Sequence, residues 1–94
     1  MRVVVFHIPG PLREWTEGRG RVEIEGSARN AGEALALLFS RHPGVRDRVV
    51  TEQGDVRLHV NVFVGSESIR FTGGLDTPIP DGCELSIVPA VSGG

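Results

Sequence analysis

The sequence predicts an α+β domain in which a mixed β-sheet packs on one main helix. Two patterns of apolar residues, and the turn residues that lie between them, support this prediction. Residues 3–8, 21–25, 58–64 and 84–89 show the β-branched content or the apolar–polar alternation that is typical of strands. Residues 31–39 instead repeat their apolar side chains at helical spacing. Glycine and proline clusters separate these segments, as they do between regular elements.

The strands are expected in the order β-β-α-β-(β)-β along the chain. The first two should pair as a hairpin, with Gly18-Arg19-Gly20 as a turn signal between them. A short extended piece is expected at residues 69–71, and the last strand at 84–89. The third strand places one apolar set on its inward side: Leu58, Val60, Val62 and Val64.

The main helix should begin after Asn30, which can cap it, with Glu33 at the position of a capping-box partner. Its apolar face comprises Ala31, Ala34, Leu35, Leu38 and Phe39. Pro43-Gly44 is expected to end the helix near residue 41, and residues 45–56 are polar and mixed, with room for a short helical turn. The predicted core comprises Val4, Phe6, Val22, Ile24, Leu35, Leu38, Phe39, Val60, Val62, Leu85 and Ile87.

Composition limits the function classes. The 94 residues suit a single domain, 1–94, with a flexible C-terminal tail at about 90–94. The net charge of −2 argues against nucleic-acid binding. Residues 3–8 are too short a run for a signal peptide, and no run approaches the ~20 apolar residues of a membrane span. Cys83 has no disulfide partner in the chain, which fits a reducing compartment. We therefore expect a cytoplasmic protein with no membrane or nucleic-acid partner.

Neither a metal site nor a cysteine nucleophile is expected. His7, His42 and His59 lie on three separate segments, without cysteine or aspartate at ligand spacing. Cys83 has acidic neighbours, which disfavour a reactive thiolate. Gly73-Gly74 lacks the lysine and hydroxyl residue of a phosphate-binding loop, and is more simply a turn that needs positive φ.

Two apolar residues are predicted on the outer face of the sheet. If Val60, Val62 and Val64 face the core, alternation turns Phe63 outward. Val88 does the same on the last strand. Together Phe63 and Val88 would form a partner-docking patch, although single exposed apolar residues are also common on ordinary surfaces.

The sequence ends in Val91-Ser92-Gly93-Gly94. A terminus of this kind can be merely frayed. It can also serve as a thin strip of backbone that enters a narrow active site and presents the Gly94 α-carboxylate, because glycine has no side chain to obstruct it.

Several stretches resemble the MoaD/ThiS family of ubiquitin-like sulfur carriers. The similar stretches are Gly74-Leu75-Asp76-Thr77-Pro78-Ile79-Pro80-Asp81-Gly82 and the tail Pro89-Ala90-Val91-Ser92-Gly93-Gly94. They correspond to the family's L-D-T-P-L…D-G-D-E-V stretch and P-P-V-S-G-G tail, with Cys83 and Ala90 as departures. The Val60-Asn61-Val62 and Ile69–Leu75 stretches are most similar to the CysO type, which delivers sulfide for cysteine biosynthesis.

The resemblance implies a ubiquitin-like β-grasp and a carrier rather than an enzyme. In this family a MoeB/ThiF-like adenylating enzyme uses ATP to activate the terminal carboxylate, here that of Gly94, and a sulfur donor converts it to a thiocarboxylate. The carrier itself binds no cofactor. Its second partner is a sulfur-accepting synthase, either cysteine-synthase-like or the large subunit of molybdopterin synthase.

Other functions of the same family stay open. The chain could be the small subunit of molybdopterin synthase, inserting its tail into a partner's active site. It could supply sulfur for thiamine, for tRNA thiolation or for secondary metabolites. It could also be a ubiquitin-like modifier of other proteins. All ten of its Lys/Arg positions are arginine, so it offers no lysine as an acceptor itself.

Overall fold

The structure is a computed structural model that describes residues 2–89. These residues are arranged around a mixed five-stranded sheet. The strands lie in the order β2-β1-β5-β3-β4. Their bounds are Val3–His7 (β1), Arg21–Glu25 (β2), Val60–Val64 (β3), Glu67–Ser68 (β4) and Leu85–Pro89 (β5). This is the topology of a β-grasp, as the resemblance implied.

The predicted hairpin is confirmed, since β1 and β2 pair antiparallel with Phe6 opposite Val22. The last strand, β5, lies between β1 and β3. It runs parallel to β1, with Phe6 opposite Leu85, and antiparallel to β3, with Val62 opposite Ile87. The start of β5, at Leu85 and Ser86, is therefore paired on both sides, and its end, at Val88 and Pro89, is paired with β3.

Helix α1 spans Ala31–Arg41, as predicted, and covers the inner face of the sheet. The Asn30 side chain accepts a hydrogen bond from the Glu33 N–H (2.8 Å). The Glu33 carboxylate accepts from the backbone N–H of Arg29 (3.0 Å) rather than from the N-cap residue itself. That bond and a second from the Arg29 guanidinium hold the pKa of the Glu33 carboxyl below its ordinary value.

The predicted core is confirmed with one exception. Ten of its eleven residues are buried, whereas Phe39 is half-buried at the edge of the cluster. Phe39 lies one position beyond the most buried turn of α1, where Leu38 is fully buried. Its ring therefore covers the core from the side instead of filling it.

Pro43 starts a helix as well as following one. Helix α2 spans Pro43–Val49, where only a short helical turn was expected, and its Val45 and Val49 are fully buried. Proline is favoured in the first turn because its missing N–H would have no intrahelical partner there. Gly44 allows Trp15, on a 3-10 helix at Gly10–Trp15, to approach α2 closely.

Two strand predictions were wrong, one in its bounds and one in its type of structure. Strand β3 begins at Val60, and Leu58 is 88% exposed in the preceding turn instead of facing the core. The Arg70 guanidinium donates to the backbone carbonyls of Leu58 and Val60 (2.7 Å each), which fixes this turn. Residues 69–71 form a 3-10 helix rather than an extended piece, capped by the Ser68 hydroxyl, and the short fourth strand precedes it.

The residues that carry the Leu-Asp-Thr-Pro motif shape the turn before β5. Gly73 and Gly74 have φ of 118° and 63°, so the predicted need for positive φ is confirmed. The Thr77 hydroxyl donates to the Gly74 carbonyl (2.7 Å), and the Thr77 carbonyl accepts from the N–H of Ala31 (2.9 Å). The motif thus connects the start of α1 to the segment that leads into the last strand.

Truncation of the core should be costly, whereas truncation of the exposed turn should not. Leu38→Ala is expected to lower the free energy of unfolding by about 2–5 kcal/mol, because Leu38 is fully buried. Leu58→Ala removes the same atoms from an exposed site and should change the free energy of unfolding by no more than ~0.5 kcal/mol. Urea-induced unfolding followed by circular dichroism measures both, and equal losses would contradict this core assignment.

Candidate functional site

The predicted tail follows the buried strand β5 in the sequence. Leu85 and Ile87 are 0% and 2% exposed, so the core holds this strand. Its last residue, Pro89, lies opposite Val60 at the beginning of β3. The predicted tail residues Val91, Ser92, Gly93 and Gly94 lie outside the described residues. What the structure fixes is the point and the strand from which they continue.

The two predicted patch residues lie on the same outer face of the sheet. In the β3–β5 register, Phe63 is opposite Ser86 and Val88 is opposite Asn61. The two are therefore diagonal neighbours, a spacing at which aromatic side chains still make contact. Val88 is 41% exposed, and Phe63 is half-buried. Their role in binding stays a prediction.

Phe71 extends this surface, and sequence reasoning missed it. It is 87% exposed and, with Phe63, lines a groove of about 500 Å³ beside β4. Strand alternation could not place Phe71, because the residue lies on a 3-10 helix. We call the three residues Phe63, Phe71 and Val88 the outer-face patch. The sequence signal that could have predicted an exposed Phe71 was an aromatic residue close to the Gly73-Gly74 turn.

The polar residues near β5 form ordinary surface pairs. His7 and Glu84 are in contact on the outer face, both about half exposed. Cys83 is a half-buried free thiol. Among residues 2–89 there is no group of three side chains that could hold a metal ion. Over the same residues, no helix is long and apolar enough to cross a membrane. The distinctive features of the site are therefore the anchored strand end and the apolar patch beside it.

Comparison with known proteins identifies relatives that cover most of the chain. The sequence matches the ThiS family over residues 6–94. It is 37% identical over 93 residues to the sulfur carrier protein CysO of Mycobacterium tuberculosis, covering 97% of this chain and 98% of that protein. It is 35% identical over 74 residues to small archaeal modifier protein 1 of Haloferax volcanii, covering 79% of each.

Solved structures of CysO and of a small archaeal modifier protein superpose on this chain. A chain in the crystal structure of the Amycolatopsis orientalis BexX/CysO complex superposes with a TM-score of 0.85 at 40% identity, covering 97% of this chain and 99% of that one. SAMP1 from Haloferax volcanii superposes with a TM-score of 0.81 at 28% identity, covering 99% and 100%. The resemblance drawn from the Leu-Asp-Thr-Pro stretch and the Gly-Gly end is thereby confirmed, and the chain belongs to the ThiS family of ubiquitin-like β-grasp proteins.

Proposed function

We propose that this protein is a sulfur carrier whose Gly94 carboxylate is adenylated, converted to a thiocarboxylate and used for cysteine synthesis. The observation that carries the proposal is the near-full-length match to CysO, and the ThiS family match that extends to residue 94 supports it. The protein acts as a co-substrate of its partner enzymes and binds no cofactor of its own.

The proposed chemistry follows from the poor reactivity of a carboxylate. An oxygen of the Gly94 carboxylate attacks the α-phosphate of ATP in the adenylating partner, and pyrophosphate leaves. A sulfide equivalent then bonds to the carbonyl carbon, and AMP departs with the former carboxylate oxygen. Glycine at positions 93 and 94 suits this chemistry, because side chains would widen the strip that must enter the partner's active site.

In the cysteine pathway the charged carrier supplies the nucleophile. The thiocarboxylate sulfur forms a bond to the β-carbon of an activated serine derivative, and the activating group leaves. Hydrolysis of the resulting thioester releases the thiol amino acid and restores the Gly94 carboxylate. Sulfur is thus transferred without release of free sulfide.

The outer-face patch is the proposed docking surface for the MoeB/ThiF-like adenylating enzyme. Val88 is one residue from the end of the described chain, and Phe63 pairs with the same strand. A partner that binds this patch therefore contacts β5, the strand that the tail follows in the sequence. Rigid positioning of that kind matters because a ~1 Å misplacement of reacting atoms can cost ~10²-fold in rate.

Protein modification is a second candidate, favoured by the identity to small archaeal modifier protein 1. Here an amine on another protein would attack the activated Gly94 carbonyl in place of sulfide. The absence of lysine from this sequence means that copies of the protein could not extend a chain through lysine side chains. Single additions to target proteins would then be the expected product.

Changes to the end of the tail should abolish charging while leaving the fold intact. Deletion of Gly94, or addition of one residue after it, shifts the reacting atom by about 3.3–3.6 Å along an extended chain. Gly93→Ala adds bulk but preserves the reach, so an intermediate rate is expected. Intact-mass spectrometry after incubation with the adenylating enzyme, ATP and a sulfur donor measures the product. Normal charging of the Gly94 deletion would exclude the carrier proposal.

Phe63→Asp should weaken docking to the adenylating enzyme without unfolding the domain, because the side chain lies on the outer face and leaves no internal cavity. The matched control is Val3→Asp, which places the same charge on an exposed position of β1 on that face, away from the patch. Titration calorimetry measures affinity, and thermal unfolding checks the fold. Equal affinity of Phe63→Asp and the control would exclude the patch as a docking site.

Two partner enzymes distinguish the candidate pathways. The charged protein is expected to convert an activated serine derivative to cysteine with a cysteine-synthase-like enzyme, and to give no turnover with a molybdopterin synthase large subunit. Turnover with the molybdopterin synthase large subunit alone would assign the protein to molybdenum cofactor synthesis instead of cysteine synthesis. Covalent conjugates to lysines of other proteins, formed from the activated carrier without sulfur transfer, would favour the modifier instead.

A further inference from the structure

The sheet has one protected edge and one open edge. At the protected edge, strand β4 is only two residues long, Glu67–Ser68. Beyond it the Arg70 guanidinium donates to the Val60 carbonyl of β3 (2.7 Å), so an arginine side chain binds the part of β3 that β4 does not reach. Strand β2 forms the other edge. It is five residues long and pairs, among residues 2–89, with β1 alone.

Strand β2 lacks the features that block the addition of another strand. Proteins commonly protect an edge by shortening it, by a bulge, by proline or by charges that point inward. Residues 21–25 contain no proline, and their register with β1 is continuous over five pairs. Their inward side chains, Val22 and Ile24, are apolar and buried. The charged side chains of β2 all lie on the outer face, where a second strand can match them.

The odd-numbered residues of β2 direct their backbone N–H and carbonyl groups toward the open side. The Gly26 N–H donates to the Arg2 carbonyl, and the Gly20 carbonyl accepts from the Ile8 N–H (2.9 Å each). The even-numbered residues from 20 to 26 therefore face β1. Since the backbone groups of an edge strand alternate in direction along the strand, those of residues 21, 23 and 25 face away from β1.

The outer face of this edge has a self-complementary row of charges. Every second residue from 19 to 25 is charged and exposed, in the order Arg19, Arg21, Glu23, Glu25. When two copies of this segment lie antiparallel with Val22 opposite Val22, each arginine lies opposite a glutamate. Arg21 then faces Glu23 of the second copy, and Arg19 faces Glu25. Opposite charges at directly opposed positions stabilise a strand pair.

Other registers of the same two strands are less favourable. A shift of two residues in one direction places Glu23 opposite Glu23, and in the other direction Arg21 opposite Arg21, and like charges directly opposite are destabilising. A shift of one residue places backbone groups that face the edge opposite groups that face β1, so the hydrogen bonds are lost. The charge row therefore favours an antiparallel copy of this chain over an unrelated strand.

We propose that two copies of the protein associate through β2 and join their sheets into one of ten strands, five from each copy. Backbone hydrogen bonds between residues 21 and 23 of the two copies hold the join, and the Arg–Glu pairs set its register. Leu37 of α1, half-buried beside Gly26, flanks the same edge and adds apolar area to it. The contact is small, so the association belongs to the weak, concentration-dependent class.

This dimer leaves the outer-face patch of both copies open. Strand β1 separates β2 from β5 in each copy, so the two β5 strands lie roughly 24 Å apart at ~4.8 Å for each strand spacing. They run in opposite directions, and each Pro89 lies at a different end of the joined sheet. The role of the dimer rests on the proposed function: it presents two carriers to a partner with two active sites, which increases avidity.

Sedimentation equilibrium of the full-length, unmodified protein measures this association. The average mass is expected to rise with concentration from 10.1 kDa toward twice that value. Glu23→Pro should raise the dimer dissociation constant at least about tenfold, because both copies lose the N–H of residue 23. Proline is tolerated where the N–H of an edge strand faces solvent, so pairing with β1 should persist. Glu67→Ala, on the protected edge, is the control and should leave the constant unchanged.

A charge swap tests the register itself. One variant combines Arg19→Glu with Arg21→Glu, and the other combines Glu23→Arg with Glu25→Arg. Each variant alone places like charges opposite one another and should stay monomeric, whereas an equimolar mixture should form a heterodimer. In that mixture, amide hydrogen exchange at residues 21 and 23 should slow with increasing concentration. Thermal unfolding checks that both variants are folded, so the swap also tests the proposal if Glu23→Pro does not fold.

A monomer mass at millimolar concentration would overturn the proposal. A dimer that persists unchanged in Glu23→Pro, or swap variants that do not associate when mixed, would place any interface elsewhere and would also overturn it. None of these measurements involves sulfur transfer. A monomer that is charged normally at Gly94 would contradict the β2 contact alone, whereas a dimer that is never charged would contradict the carrier proposal alone.

Discussion

The burial of β5 is the constraint on which the rest of this structure depends. This strand forms hydrogen bonds to β1 on one side and to β3 on the other, and its Leu85 and Ile87 lie in the core beneath α1. A central strand of this kind opens only when much of the domain opens. Pro89, the last described residue, therefore belongs to a strand whose first residues are paired on both sides and whose inward side chains lie in the core.

The same strand presents residues to both sides of the sheet. Its outward residue Val88 belongs to the outer-face patch, and its inward residues Ile87 and Pro89 line a cavity of about 310 Å³ beside α2. A partner that bound the outer-face patch, as proposed, would contact the strand that residues 90–94 follow in the sequence.

Much of the fold could be predicted from local patterns. The alternation of Val22 and Ile24 placed β2, and the Asn30 cap together with the Leu35 and Leu38 spacing placed α1. These signals succeed because one face of each element is buried. The outward position of Val88 followed from the same alternation.

The remainder depended on contacts that local patterns do not contain. Helix α2 has only two buried positions, Val45 and Val49, which is too few to show a period, and Pro43 was interpreted only as a stop. Leu58 is exposed in a turn whose carbonyls accept from the Arg70 guanidinium, a contact between residues that are distant in the sequence. Phe71 points outward because it lies on a 3-10 helix, and the cavity beside Pro89 forms only when the 3-10 helix Gly10–Trp15, α2, β3 and β5 meet.

The most direct test of the central claim is intact-mass analysis of the protein purified from its native host during growth on limiting cysteine. The account predicts a population heavier by the replacement of one oxygen by one sulfur, localised to Gly94 by fragmentation. A protein that carries only an unmodified Gly94 carboxylate under those conditions would contradict it.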